Sequence, residues 1–430
     1  MDSGKKKLLI YAHYYAPDVA STGQILKELA EGLVEEFKIT VICAVPSYSG
    51  KIDSKYRKQK YYKENMNGVQ LLRVRVPEFQ KRNKISRIKN IIAYFMRSMI
   101  ATFKAGKQDY VLAVSQPPVL GGLLGVWGKW VKGAKYIYQI QDFNPEQIIA
   151  VNFFNFKPLL WLLMKLDKFN CYQADEVITV GRDLVQTLKC RFARKPSKVS
   201  VSMINNWVDE KETYPLASND PGVCAFKEKY GLKDKYVITY NGNLGHYYDL
   251  MNLLKVIEKF KPGTRTNPTE SYPKGQEVIF AFVGGGSLQS YMIEYCKIND
   301  MNNVIFIPYQ DKKDLIYALN AGDVHWCVNA KGIKGVSCPS KYYGIAAVAK
   351  PIIAVLEKGS EIGCIIEETK GGLLCEPGEY EKVEANLRWF IENAHSGEID
   401  EMGKRSHEYL KKYLRKEISI RRYAEAIMQL

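Results

Sequence analysis

Two short stretches carry residues suited to gripping a phosphate: Tyr240–Gly245 (YNGNLG) and, about a hundred residues later, Val336–Pro351 (VSCPSKYYGIAAVAKP). Each follows an apolar, β-like run and leads into a helix-like segment. In the second, Lys341 sits in the first helical turn beside Ser340. A strand, a small-residue loop and a helix N-terminus aim unpaired backbone N–H groups and the positive end of the helix dipole at one spot, which suits a phosphate. Asn241, Gly242, Asn243 and Gly245 end one expected strand, and Gly284, Gly285 and Gly286 of the intervening FVGGG end another. Strand ends of this kind are where open α/β sheets hold ligands. Two phosphate-type sites in one half of a chain point to a diphosphate gripped from two sides, with Lys341 neutralising it as a bond to it breaks. For either stretch alone, close helix–sheet packing explains the small residues equally well.

Carboxylates supply the second kind of chemistry. Asp142 and Glu146 lie in DFNPE, directly after the strand-like Tyr136–Gln141, where two carboxylates and a turn-forming proline suit a ligand hydroxyl. Asp142 is the candidate to orient or deprotonate that hydroxyl; the structural alternative makes Asp142 an N-cap and Glu146 a solvated helix residue. Glu361, in GSEIG, stands after the strand-like Pro351–Val355 and is suited either to ligand hydroxyls or to capping the next helix.

The elements that position these residues alternate throughout. Strand-like runs are Leu8–Ala12, Ile39–Cys43, Val69–Val74, Tyr110–Val114, Tyr136–Gln141, Glu176–Val180 and Val199–Met203, then Tyr236–Tyr240, Val278–Val283, Val304–Ile307, Val324–Val328, Pro351–Val355 and Gly372–Cys375. Helix-like segments separate them, such as Gln24–Glu36, so the fold class is α/β with doubly wound parallel sheets. At 430 residues the chain exceeds one ordinary core. The polar Asn205–Pro221 reads as a linker, giving domains at 1–205 and 206–412 and a closing helix at 413–430 that crosses back to the first. The nine cysteines are dispersed without a CxxC pair, which argues for a reducing cytoplasm and against a disulfide framework or a zinc site. The opening MDSGKKKLLIYAHYYAP is broken by His13 and Pro17 and reads as a first strand, not a signal peptide.

The net charge of +16 is unevenly placed. Residues 1–210 hold 33 basic and 18 acidic residues, and Lys51–Lys107 alone holds 16 basic against 3 acidic. Such a patch suits nucleic acid or an anionic membrane. Lys84–Lys107 decides between them, because Ile85, Ile88, Ile91, Ile92, Phe95, Met99 and Phe103 recur at helical spacing among almost purely basic charges. A cationic amphipathic helix on a lipid surface fits this better than a DNA-reading helix. Val119–Val131 and Ile148–Leu166 are further apolar runs, but neither has the roughly twenty unbroken apolar residues of a membrane span. The expectation is a cytoplasmic protein held peripherally at the inner face of the cytoplasmic membrane, with no nucleic-acid partner.

YNGNLG, FVGGG and PSKYYGIAAVAKP together resemble the donor-binding half of the family-4 retaining glycosyltransferases. The resemblance extends over nearly the whole chain, including PSYSGK (Pro46–Lys51) and GVQLLRVRVP (Gly68–Pro77). DFNPE is similar to the DxxPE element of bacterial transferases that build O-antigen, colanic acid and capsule, of the L-fucosamine-transferase type. The resemblance implies the GT-B architecture of two facing Rossmann-like domains. It also implies a nucleotide-diphosphate sugar donor, UDP- or GDP-linked, an undecaprenyl-diphosphate-linked sugar acceptor, and transfer with retention. In such enzymes the loop after the first strand, here His13–Gly23, lies against the donor pyrophosphate and the acceptor; His13 falls on the acceptor side, Thr22 and Gly23 at the helix start. No cofactor or metal is required if Lys341 and helix N-termini supply positive charge. The sequence departs from the family in two respects; in the first, the usual pair of glutamates seven residues apart falls on Val336 and Gly344. A second departure is HYYD (His246–Asp249) where a basic residue usually follows, with His246 the candidate replacement or a structural histidine. The readings from other classes are an inactive scaffold that binds lipid or nucleic acid, and a nucleotide-sugar epimerase or sugar phosphorylase of the same plan.

Overall fold

The computed structural model of the chain describes residues 4–18, 20–80, 83–151, 156–193, 198–262 and 276–430. Val19 of the first loop, Lys81 and Arg82 of the basic segment, and positions 152–155 of the Ile148–Leu166 run lie outside the described residues. The chain divides into two compact units, Met1–Asn205 with Glu417–Leu430, and Asn206–Lys416.

The first unit is built on β1 (Lys6–Ala12), β2 (Phe37–Ala44), β3 (Tyr61–Met66), β4 (Val69–Val74), β5 (Tyr110–Val114), β6 (Lys135–Ile140), β7 (Glu176–Thr179) and β8 (Ser200–Met203). They form one sheet in the order β3-β4-β2-β1-β5-β6-β7-β8, parallel except for the β3–β4 pair. Its helices are α1 (Ser21–Gly32), α2 (Lys84–Lys104), α3 (Leu120–Lys132), α4 (Glu146–Ala150), α5 (Lys157–Gln173) and α6 (Arg182–Phe192). The second unit carries β9 (Tyr236–Asn241), β10 (Val278–Val283), β11 (Val304–Ile307), β12 (Val324–Val328), β13 (Ile352–Val355) and β14 (Gly372–Cys375), parallel throughout in the order β11-β10-β9-β12-β13-β14. Around it lie α7 (Pro221–Lys229), α8 (Leu250–Ile257), α9 (Gln289–Ile298), α10 (Leu315–Ala321), α11 (Lys341–Ala347), α12 (Glu361–Thr369), α13 (Tyr380–Glu392) and α14 (Gly397–Tyr413). The last helix, α15 (Lys416–Met428), packs on the first unit: Gln139 Nε2 donates to Tyr423 Oη at 2.5 Å and Arg422 Nη2 to the Met203 carbonyl at 2.7 Å.

Both sheets are the doubly wound kind read from the sequence, and each expected strand is present within two residues of its expected ends. The reason is burial on both faces: β5 and β12 are fully buried, as strands covered by helices on both sides must be, and read as unbroken apolar runs. β3 is the strand missing from the sequence reading. Its YYKENM is half-exposed and polar, but the Asn67-Gly68 turn that closes it has positive φ at both residues (50° and 84°), the type I′ geometry of a two-residue hairpin. α1 also begins earlier than expected, at Ser21 and not near Gln24, because Gln24 N–H already bonds the Ala20 carbonyl at 3.0 Å.

Chain order reverses direction between β1 and β5 in the first sheet and between β9 and β12 in the second. Loops diverge at these points and open a crevice beyond the strand C-termini. The loop after β1 is held from below by Arg73 on β4, which is fully buried. Its Nε pairs with Glu64 Oε2 of β3 at 2.6 Å and its Nη2 donates to the Ala16 carbonyl at 2.6 Å.

α2 is inverted relative to an ordinary surface helix. Its buried residues are Asn90, Tyr94, Ser98, Ala101 and Thr102, while Ile85 (67% exposed), Ile88, Ile92, Met96, Ile100 and Phe103 (63%) face outward. Of the stripe read from the sequence, Ile91, Phe95 and Met99 are half-buried. Two of the inward polar groups are bonded: Asn90 Nδ2 donates to the Pro77 carbonyl, and Thr102 Oγ1 lies 2.6 Å from Tyr11 Oη. The outward apolar surface continues onto α3 and α5, where Phe103 meets Trp127 edge-on and exposed Trp130 meets Phe169. Among the described residues no helix is long and apolar enough to cross a membrane.

Glu64→Ala strands the buried Arg73 charge and is expected to cost about 3 kcal/mol. The double replacement Arg73→Met with Glu64→Gln costs less than the single change. Urea unfolding midpoints of the three proteins check this order.

Candidate functional site

Gly242, Gly284, Gly285, Gly286 and Lys341, singled out by the sequence, come together where β9 ends, at the β9–β12 reversal. β9 ends at Asn241 and turns through Gly242 (φ 143°), which hydrogen-bonds the Val283 carbonyl at the end of β10. Gly284 (φ 135°) faces it so closely that a Cβ would stand 2.1 Å from the Gly242 carbonyl oxygen, and a Cβ on Gly286 would stand 2.2 Å from that of Leu244. The two turns are nested backbone on backbone, cross-linked by Leu244 N–H to Gly285 O at 3.0 Å and Leu288 N–H to Leu244 O at 2.9 Å. Only glycine permits this approach. Asn243 contributes its carbonyl, which accepts from Tyr240 Oη at 2.8 Å. Gly245 leads into a single 3-10 turn, His246–Tyr248.

Lys341 opens α11 after the exposed Ser340 and reaches across to this nest. A Cβ on Gly242 would meet Lys341 Cε at 2.8 Å, so the absent side chain is what admits the lysine. Its ammonium rests 3.6 Å from the centre of the Tyr248 ring and 5.0 Å from that of Tyr240, a cation–π seat that holds the charge without neutralising it. Among the described residues it has no carboxylate within ion-pair distance. α11 has only seven residues, so the positive charge here comes from the side chain far more than from a helix dipole.

Asn241 is fixed from beneath. Its Nδ2 donates to Thr239 Oγ1 at 3.2 Å and faces Nδ1 of the fully buried His325 at 3.5 Å, while His325 Nε2 donates to the Leu319 carbonyl at 2.9 Å. Burial, and then the charge of Lys350, pull the His325 pKa down to about 3, so the ring is neutral and its Nδ1 is an acceptor. Asn241 Oδ1 is buried with no hydrogen-bond partner among the described residues, an acceptor a ligand hydroxyl can satisfy.

Loops on either side close the frame. Ala330 N–H bonds the Tyr247 carbonyl at 2.7 Å, and Glu357 Oε2 accepts the N–H groups of Gly332 and Lys334, each at 2.9 Å. Glu361 is buried at the first position of α12. Val336 and Gly344 occupy the places of the glutamate pair; Val336 is buried, and a Cβ on Gly344 would stand at ordinary contact distance, 3.5 Å, from Leu319. Tyr248, His325 and Glu357 are the residues that the sequence reading passed over. HYYD carried a signal for the first, since aromatic rings beside an expected cation site are its natural seat. Nothing local marked the other two.

In the first unit, Thr22 Oγ1 reaches Gln116 Oε1 at 3.4 Å across the β1–β5 reversal, and a Cβ on Gly23 would stand 2.9 Å from the Tyr14 carbonyl oxygen. His13 is buried, stacked on Tyr14 with ring centres 4.1 Å apart and 3.2 Å from Asn90 Oδ1; burial lowers its pKa to about 4. Asp142 is half-buried, with its N–H toward Ser115 Oγ at 3.4 Å. Glu146 pairs with Arg191, whose other nitrogen pairs with the buried Asp167. Asp167 in turn accepts from Tyr138 Oη at 2.6 Å.

Two buried neutral histidines predict an acid-sensitive fold. Both folded pKa values lie below the unfolded value, so their contribution is complete above about pH 6.5 and falls as pH drops toward about 4 for His13 and about 3 for His325. Each costs about 1.4 kcal/mol per pH unit in that window. Thermal melting between neutral and mildly acidic pH measures the slope, which should be shallower in His325→Gln whatever its absolute stability.

Residues 225–416 match the family described as "Glycosyl transferases group 1". The chain is 28% identical over 305 residues to WbjE of Pseudomonas aeruginosa, named for a glycosyltransferase, covering 70% of this chain and 71% of that protein. It is 22% identical over 391 residues to WcaI of Escherichia coli (strain K12), named for a colanic acid biosynthesis glycosyl transferase, covering 89% and 91%. Among solved structures it is similar to Anabaena HepE in complex with UDP and glucose, with a TM-score of 0.69 at 13% identity and coverage of 99% and 100%. Residues 225–416 therefore form a group 1 glycosyltransferase domain, and the chain is a glycosyltransferase.

Proposed function

We propose that the chain is a family-4 retaining transferase that moves a sugar from a UDP- or GDP-linked donor to an undecaprenyl-diphosphate-linked sugar during surface-polysaccharide assembly. The observation that carries this reading is Lys341: an ammonium seated on Tyr248 and admitted by Gly242, beside two nested strand-end turns. When the bond between the anomeric carbon and the diphosphate breaks, negative charge grows on the leaving oxygens. A fixed cation there stabilises the transition state more than the bound donor. Asn241 Oδ1 is an acceptor for a donor hydroxyl, and Asn243, Gly245, Gly284, Gly285, Gly286 and Ser340 line the same turns. Glu361 and backbone groups take the place of the absent glutamate pair toward ribose. In the first unit, Asp142 orients the acceptor hydroxyl, with Glu146 at the start of α4, His13 in the loop after β1, and Thr22 and Gly23 in the first turn of α1. Retention requires the hydroxyl to enter on the face the diphosphate leaves. The name of WcaI, a colanic acid biosynthesis glycosyl transferase, favours polysaccharide assembly, and HepE's complex with UDP favours a nucleotide donor.

The outward Ile, Met and Phe side chains of α2, itself part of the basic segment Lys51–Lys107, support peripheral attachment to an anionic membrane. A lipid-linked acceptor is presented at such a surface.

Lys341→Ala should keep the fold and cut turnover by roughly 10²–10³, the scale of one lost electrostatic stabiliser. It should also shrink the thermal shift given by the preferred nucleoside diphosphate, which at a hundred times its Kd is worth about 2.7 kcal/mol in the parent protein. A turnover near that of the parent would sink the assignment. In flotation assays the protein should rise with anionic vesicles and less with neutral ones, and Ile88→Glu with Ile92→Glu should abolish recovery with both.

A further inference from the structure

A pocket of about 410 Å³ in the first unit is lined by Ile52, Arg57, Arg75, Val76, Pro77, Glu78 and Arg97, a size that suits a small ligand. It lies among the segment between β2 and β3, the segment that follows β4, and α2, and contains none of the residues assigned above to donor or acceptor. Three guanidinium groups share it with one carboxylate, and that carboxylate is already committed. Glu78 Oε1 accepts from Arg57 Nη2 at 2.8 Å and from the Ile52 N–H at 3.1 Å. Arg75 and Arg97 have no carboxylate partner among the described residues. Their recorded bonds are to backbone oxygens, Arg75 Nη1 to Arg57 O and Arg97 Nη1 to Arg75 O. Each guanidinium has five N–H donors, so most remain unused. The two charges are also near enough to oppose one another: burial first, and then Arg75, lower the Arg97 pKa. Like charges gathered around a cavity without a counter-charge call for an anion, and forked guanidinium groups match phosphate oxygens.

Arg97 sits on α2 between the outward Met96 and Ile100, so the pocket opens at the border of the apolar face. We propose that Arg57, Arg75 and Arg97 form a phosphate-group site, suited to the head group of a lipid whose chains meet the α2 face. The site stands apart from the transfer reaction; its link to a lipid rests on the membrane reading above, but its affinity for phosphate does not.

The test is calorimetric titration of the full chain with inorganic pyrophosphate at low salt, in a Lys341→Ala background so that the candidate donor site does not contribute. Arg75→Gln with Arg97→Gln should weaken binding by at least about ten-fold, two charge-assisted contacts being lost. Glu78→Gln, which removes the one carboxylate among the described lining residues, should tighten it, an effect that a merely structural role for these arginines would not give. The Arg75→Gln and Arg97→Gln changes made in the parent protein should leave the nucleoside diphosphate thermal shift unchanged. Competition with soluble short-chain phosphatidylglycerol distinguishes the source: displacement of pyrophosphate assigns a lipid head group, whereas binding of pyrophosphate alone assigns a free phosphate compound to the same site. Absence of pyrophosphate binding in the Lys341→Ala protein, or an affinity indifferent to all three substitutions, overturns the proposal.

Discussion

The approach of two backbones without side chains between them governs the candidate donor site. Gly284 lies against the Gly242 carbonyl and Gly286 against that of Leu244, at distances that leave no room for a methyl group. Because those turns nest, the ends of β9 and β10 are locked in register, and Gly242 leaves open the space that Lys341 fills. The lysine is then held by aromatic faces instead of carboxylates, so its charge stays available to a ligand. Parallel strand order does the rest, since reversal between β9 and β12 sends the neighbouring loops apart just where the turns end.

Buried polarity is used in a different way in the first unit. Arg73 ties β3, β4 and the loop after β1 together, and the Glu146–Arg191–Asp167–Tyr138 chain ties α4 to α5, α6 and β6. Such networks stabilise little when complete and cost much when broken, so their effect is to fix loop positions. α2 extends the same logic outward. With Asn90, Ser98 and Thr102 turned in, and Asn90 and Thr102 bonded there, its apolar residues have no core to enter and form a surface joined to those of α3 and α5.

The sequence by itself determined the class of fold, because parallel strands covered on both faces must be apolar along their whole length, and such runs alternate with helical periodicity from β1 to β14. It also determined the small-residue turns and the lysine, since glycines at strand ends and a cation in a first helical turn are local signals. β3 escaped because its residues are half-exposed and polar, although its Asn-Gly turn was in view. Tertiary structure alone decided the rest. The outward direction of the α2 stripe depends on Asn90 meeting Pro77 and Thr102 meeting Tyr11, contacts between segments well separated in the chain. The tautomer of His325, the bare oxygen of Asn241 and the grouping of Arg57, Arg75 and Arg97 likewise arise from side chains brought together by strand order, which no periodicity within a segment encodes.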